Sequence, residues 1–512
     1  MRARRLAFAI ATVLLVQLLP AGAGSKGIAA EFHSDNMTHV KNIPQQNIEG
    51  NTGGGGSDIE FVSLDVTDLP EALDLGVTGV REFALGGSLN KGMQIYDITD
   101  PENTELASIY DCKIAQGDIQ VFTREDGRTY ATYTADYDAV LSSTCYQDIK
   151  AMEIAPKDGM GTFIVDLTNP YAPRTVTFIY LAKGSHNMTV HPSGNFLYNS
   201  NNELTEGIGL MEIVDITAIT EPKVLEPLDL GTGIDSHDIT FNADGTRAYS
   251  AAVSHSLVMD TTDPSKPTII GRIIDPTITI HHQSEPITID TGTPLGVRDF
   301  LVVTDEVGGG SAGSVCPGGA IHIFDITGDL ETAPVKLGVY EAPVVKPAGG
   351  GTDATGSALG CTSHVLRFYP EQKLMTIAWY NAGVHVVDIS TILGPSVGIT
   401  LPVDGGPTTG SLGVGMKELG YYWFSDSNTW SAKTNKFAED GSFYLYANDI
   451  SRGLDIFHYS SAAPTSTATG KSFSPSAYAA LVAKRGPRPA WEDVRPYCLL
   501  KSSTSPAIKK RR

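Results

Sequence analysis

A short apolar strand ending in Asp-[Ile/Leu/Thr]-[Thr/Ser] recurs along this chain and restricts its fold more than any other feature. The repeated acid falls at Asp97, Asp166, Asp215, Asp260, Asp325 and Asp388, and a seventh, degenerate copy places His458 there. Successive copies are 69, 49, 45, 65, 63 and 70 residues apart. The shortest intervals match one four-stranded propeller blade, and the longer ones leave room for loop insertions. Each unit reads alike: an apolar strand, a turn such as Asp244-Gly245, a Tyr-containing strand, the apolar-Asp strand, then a turn and a fourth strand. The carboxylate is expected to cap a tight turn by accepting backbone N–H groups. One such sheet cannot bury both its faces, whereas stacking sheets around an axis does.

These considerations predict an all-β chain, a seven-bladed β-propeller of four-stranded antiparallel blades over residues 58–459, with flexible leader and tail. The leader would be residues 25–57, which include four consecutive glycines, and the basic, mostly irregular tail residues 460–512. The strand over residues 59–64 is expected to complete the last blade and join the ends of the ring.

The repeats resemble the LVIVD-repeat family, named for the same apolar-Asp strand. The likeness covers roughly residues 58–459 and departs from the pattern at the seventh copy and in two Gly-rich insertions, Gly308–Gly319 and Gly349–Gly360. The resemblance implies a propeller on an exported or surface protein and little about activity. A more distant likeness, in strands such as residues 94–101, is to the selenium-binding protein/methanethiol oxidase propellers, which implies a metal held through histidines.

Export is also read from the N-terminus. Arg2, Arg4 and Arg5 precede an apolar run over residues 6–19, and small residues follow to Gly24, so residues 1–24 are expected to be a signal peptide. The apolar run is short for a membrane span. The net charge is −21, although residues 459–512 carry ten Lys/Arg against two acids. The body between these ends is therefore strongly acidic, which argues against a nucleic-acid partner. Export permits disulfides, and Cys112–Cys145 and Cys316–Cys361 are the expected pairs because each lies within one or two adjacent repeats, leaving Cys498 over.

Several of the twelve histidines share one phase of the repeat. His186 follows Asp166 by 20 residues, His237 and His282 follow Asp215 and Asp260 by 22, and His364 follows Asp325 by 39 across a Gly-rich insertion. Ser185-His186, Ser236-His237 and Ser363-His364 each open a strand. Asp118 takes the same place in the preceding blade when the chain is aligned on Phe122 and Phe241. The alignment is looser around His281-His282, and Glu285 is a further candidate there. Inner strands line the channel of a propeller, so residues in one phase point at a common axis. Neutral imidazoles gathered in this way suit copper, zinc or iron, and a carboxylate would add charge or orient a ring. The competing reading makes them blade-edge histidines bonded to main chain or water. His255, His322, His385 and His458 fall in other phases and are read as structural. Asp305-Glu306 could contribute to a calcium site.

The expected function is a secreted, periplasmic or cell-surface propeller that binds a ligand or protein partner, with a His-coordinated transition metal in its channel. The alternative is a metal-dependent, oxidase-like enzyme acting on a small molecule at the channel mouth. A third reading is a structural surface protein whose basic tail docks to anionic partners. The partner would be a small molecule or an extracellular protein, the chain a monomer, with no nucleic acid and no stable membrane span.

Overall fold

The computed structural model describes residues 29–461, apart from 137–139, 155–160, 182–183, 202–207, 293, 307–318, 342–361, 394–409 and 413. Seven antiparallel sheets form blades with four strands in meander order, two of them extended by a fifth strand. Their inner strands are Gly56–Asp65, Gln116–Thr123, Asn187–Val190, Asp238–Phe241, His281–Asp290, Leu366–Tyr369 and Thr429–Lys433, for blades 1 to 7 in turn. Each inner strand contacts the next, and the seventh contacts the first, so the ring is closed.

The hydrophobic core follows from strand alternation. Among the described residues there are seven buried apolar clusters, one between each pair of adjacent blades. Phe163 and Val165 of one strand pack towards blade 1, while Ile164 between them packs towards blade 3. Likewise Leu301 and Val303 face blade 4 and Phe300 and Val302 face blade 6. The strands inside each blade are therefore apolar on both faces, which is the physical origin of the unbroken apolar run before each repeated Asp.

That Asp does what its position predicts. The carboxylates of Asp97, Asp166, Asp215, Asp260, Asp325 and Asp388 each accept the main-chain N–H of the residue two positions on, at 2.8–3.0 Å. The intervening residue is buried between blades, as with Ile98, Leu167 and Ile389. The carboxylate thus fixes the turn into the outer strand while its neighbour anchors the blade edge.

Two expectations about the ends of the ring are corrected. Residues 59–64 do not complete the last blade; they belong to Gly56–Asp65, the inner strand of blade 1. The closing strand is Met37–Ile43, which pairs antiparallel with Gly453–Tyr459 as the outer strand of blade 7. Hence the segment 25–57 is not a flexible leader throughout: Met37–Ile43 is held by a ladder, and Glu31–His33 adds a fifth strand to blade 6. The reason is burial. Met37 lies among Phe424, Phe457 and Tyr459, and Asn36 Nδ2 donates to the carbonyls of Leu419 and Ser460. The tail lies outside the described residues beyond 461.

Cys112 and Cys145 form a disulfide that ties the end of blade 1 to the helix Thr144–Ala151. Cys316, Cys361 and Cys498 lie outside the described residues. Among the described residues, no helix is long and apolar enough to cross a membrane.

The closing strand gives a direct test. Met37 is 2% exposed, so Met37→Ala should cost about 2–4 kcal/mol of unfolding free energy. Thr38→Ala, one residue away on the exposed side, should stay within about 0.5 kcal/mol. Denaturant titration of both variants checks this.

Candidate metal centre

Each inner strand begins at the same level of the channel because it hangs from the end of the second strand beside it. The main-chain N–H of His186 donates to Ser200 O, that of His237 to Ala251 O and that of His364 to Ala378 O. These equivalent bonds place one imidazole each from blades 3, 4 and 6 at that level. His282 supplies the one from blade 5. Its pairing is bulged: His281 opposes Asp305 and Gln283 opposes Thr304, leaving His282 as the extra residue.

The four rings form a continuous arc. Ring centroids are 4.5 Å apart from His186 to His237, 4.5 Å from His237 to His282 and 4.2 Å from His282 to His364. All four are buried. Glu306 comes up beneath them from the end of the second strand of blade 5. Its carboxylate oxygens lie 3.7 Å from His282 Nε2 and 3.8 Å from His364 Nε2, and it accepts the Tyr380 hydroxyl at 2.7 Å. Ligand atoms of His237, His282 and Glu306 all fall within 4.8 Å of one another.

On His364 and His186 the outer nitrogen is held as a metal site requires. His364 Nδ1 bonds the Trp430 carbonyl at 2.6 Å, so it carries the proton and Nε2 presents its lone pair. That Nε2 makes no hydrogen bond and faces the Glu306 carboxylate. His186 Nδ1 lies 3.2 Å from both oxygens of Asp136, and its Nε2 is 3.1 Å from the Gln116 amide. Burial, and then the neighbouring imidazoles, hold His237 and His282 well below the ordinary histidine range. Burial pushes His364 down to about 3. All three are therefore neutral, the state that binds metal.

The remaining sequence candidates lie elsewhere. His281 pairs through Nδ1 with Ser256 Oγ at 2.7 Å and is not part of the arc. Asp118 does not share the phase of His237. Ile119 pairs with Tyr133 and Ile239 with Ser250, each three residues beyond the partner of the repeated Asp, so Asp118 stands level with Asp238 and accepts the Met188 N–H, while a bulge just before it, with Gln116 at φ 83°, pairs Gln116 with Ala135. Gln116 is the residue that reaches His186. Glu285 is three residues beyond His282, roughly 10 Å of extended chain, and accepts from Thr240 Oγ1 and Gln283. The acids Asp305 and Glu306 serve different partners: Asp305 accepts the N–H groups of Thr279 and Ile280. His322 and His385 bond Lys336 and Glu418 within their own blades. Sequence reasoning missed Gln116, Asp136, Glu306 as a partner of the histidines, and Tyr380. One signal was present, because Asp136, Glu306 and Tyr380 all fall just after the second strand of their blades.

No protein-family model matches the chain, and no curated protein matches it. Among solved structures it is similar to the crystal structure of a functionally unknown protein from Desulfotomaculum acetoxidans DSM 771. The two share 12% identity and a TM-score of 0.40, over 72% of this chain and 90% of that one. The propeller assignment rests on the strand pairing itself.

The imidazoles form the floor of a cavity of about 320 Å³ in the channel. Further along the inner strands its wall is charged. Lys433 Nζ bridges Asp58 at 2.7 Å and Glu60 at 2.8 Å, and Arg367 also pairs with Glu60. Burial alone would lower the Lys433 pKa, but the two carboxylates outweigh it and raise it. This group joins blades 6, 7 and 1 across the seam of the ring. Lys433→Met should leave Asp58 buried without a counter-ion and cost about 3–5 kcal/mol. Lys433→Met/Asp58→Asn should recover part of that loss, and denaturant unfolding of the two variants reads the difference.

Proposed function

We propose that this chain is an exported propeller of the LVIVD-repeat type that holds a transition metal in its channel and binds a small molecule or an extracellular protein partner at the channel mouth. The observation that carries the metal reading is the meeting of two imidazole Nε2 atoms with the Glu306 carboxylate at 3.7 and 3.8 Å, all buried. On His364 that nitrogen has no proton to share, so a cation between the groups satisfies them. His237, His282 and His364 with Glu306 are the proposed ligands. His186 is a fourth imidazole, oriented by Asp136 and reached once Gln116 yields its amide contact. Tetrahedral coordination needs ligand atoms about 3.4 Å apart, so the group within 4.8 Å needs only a modest contraction. Nitrogen-rich donors favour copper, zinc or iron over calcium or magnesium.

Export is supported by the repeat resemblance, by the positive and apolar pattern of residues 1–24 and by the Cys112–Cys145 disulfide. We expect the exported protein to act as a monomer.

A second reading, a metal-dependent oxidase-like enzyme, draws on one observation. The cavity over the imidazoles is large enough for a small molecule and opens directly onto them.

Metal analysis after supplementation with copper, zinc and iron tests the proposal. Wild type should retain about one equivalent of one of them, and His237→Ala/His364→Ala should retain none. Glu306→Gln should weaken affinity about 10–100-fold. A wild-type protein that holds no metal in any of these would sink both readings.

A further inference from the structure

One imidazole of the arc is oriented as a metal ligand is, yet its free nitrogen is occupied. Both oxygens of Asp136 lie 3.2 Å from His186 Nδ1, which places the proton there and the lone pair on Nε2. The Gln116 amide nitrogen lies 3.1 Å from that Nε2 and donates to it; its second N–H goes to Asn187 Oδ1 at 3.2 Å. An imidazole nitrogen has a single in-plane lone pair, so it cannot accept this amide proton and hold a cation at once. His186 also stands outside the group His237, His282 and Glu306, whose ligand atoms lie within 4.8 Å of one another.

The contact is kept at two costs, and both fall on Gln116. Its backbone sits at φ 83°, in the left-handed region, where a residue with a Cβ stays only if its surroundings over-determine it. Its side chain is buried, at 3% exposed, and Oε1 has no hydrogen-bond partner. A buried acceptor left unpaired is unfavourable. Strain and an unsatisfied oxygen on one buried side chain mark a placement that serves the group it touches, and that group is His186 Nε2.

The cavity shows what this placement accomplishes. Gln116 and all four histidines of the arc line it, whereas Glu306 does not. A cation held by His237, His282, His364 and Glu306 therefore has His186 and Gln116 on its cavity side. Were His186 to bind as well, five protein groups would enclose the ion. With His186 held back, that side stays open to a molecule in the cavity, as sites that take up external ligands require.

We propose that Gln116 is a positioning residue that keeps His186 out of the ligand set and so reserves a coordination position, facing the cavity, for a small Lewis base. The inference rests on the metal reading above and names the class of small molecule that the site admits.

The test uses copper(II) as the metal, because it binds nitrogen-rich sites most tightly among the first-row divalent ions, and azide as the external base. Azide should bind the wild-type copper protein and add a charge-transfer absorption band. Gln116→Leu releases His186 Nε2, so copper affinity should rise about tenfold or more and azide affinity should fall about tenfold or more. Adding His186→Ala to Gln116→Leu should reverse both changes. Circular dichroism and thermal melting establish that each variant is folded. Should Gln116→Leu be unfolded, Gln116→Gly, which suits a φ of 83°, removes the same amide and takes its place in both titrations. The inference is overturned if the folded Gln116 variant binds copper and azide as wild type does. It is equally overturned if azide fails to bind the wild-type copper protein, or if His186→Ala alone weakens copper binding as much as His237→Ala. Any of these results in a wild type that takes up copper leaves the metal reading standing; a wild type that takes up none sinks both.

Discussion

The pairing of Met37–Ile43 with Gly453–Tyr459 is the constraint on which the rest of the molecule depends. A blade that buries both faces must have a neighbour on each side, and an open array would leave two faces in water. Clasping the ends removes both exposed faces at once and fixes the curvature. Only then do inner strands separated by as many as 178 residues, from His186 to His364, start at one level around one axis. The imidazole arc is a consequence of closure, since no local element brings any two of these histidines together.

The seam is reinforced by polar groups of unusual burial. Gln45 and Asn448 share a hydrogen bond, and both donate to the Gly87 carbonyl, while Lys433 links blade 7 to Asp58 and Glu60. Such contacts contribute little net stability relative to apolar packing, but each is strongly penalised if the blades slip. They therefore select the register in which blade 7 meets blade 1. The same charges line the cavity, so closure of the ring and polarity of the cavity have a common origin.

What could be read from the sequence was what the chain encodes locally. The repeated Asp caps its turn two residues away, and the apolar run before it faces blades on both sides, so the fold and blade number were legible. The shared phase of His186, His237, His282 and His364 was legible too, because equivalent bonds to the second strand repeat with the blade. What failed was register. An extra residue at His282, and one more residue between Phe122 and Gly127 than between Phe241 and Gly245, each shift the alignment by one position, and a strand changes face with each residue. Asp118 was therefore placed one level too deep, and His281 could not be told from His282. The closing strand was missed because its partner is 416 residues away at the His39–Asp455 contact, and its own bulge between His39 and Lys41 blurs the alternation. The Glu306 contact depends on a strand end meeting rings from other blades, which only the closed ring specifies.

The degenerate seventh repeat follows from the same topology. In six blades the Asp at the end of the third strand holds the turn into the outer strand, by accepting the N–H two residues on. In blade 7 the third strand ends at Tyr459, and the outer strand arrives from residues 37–43 at the other end of the chain. There is no turn between them, hence no N–H for a carboxylate to capture. An Asp at position 458 would have no work to do, and His458 instead packs its ring against Tyr444 at 4.9 Å. A repeat that loses its turn-capping acid while keeping its apolar strand is thus a sequence mark of the blade closed from the opposite terminus. In this chain the mark falls on the last copy, so the closing strand has to lie ahead of the first blade, where residues 37–43 supply it.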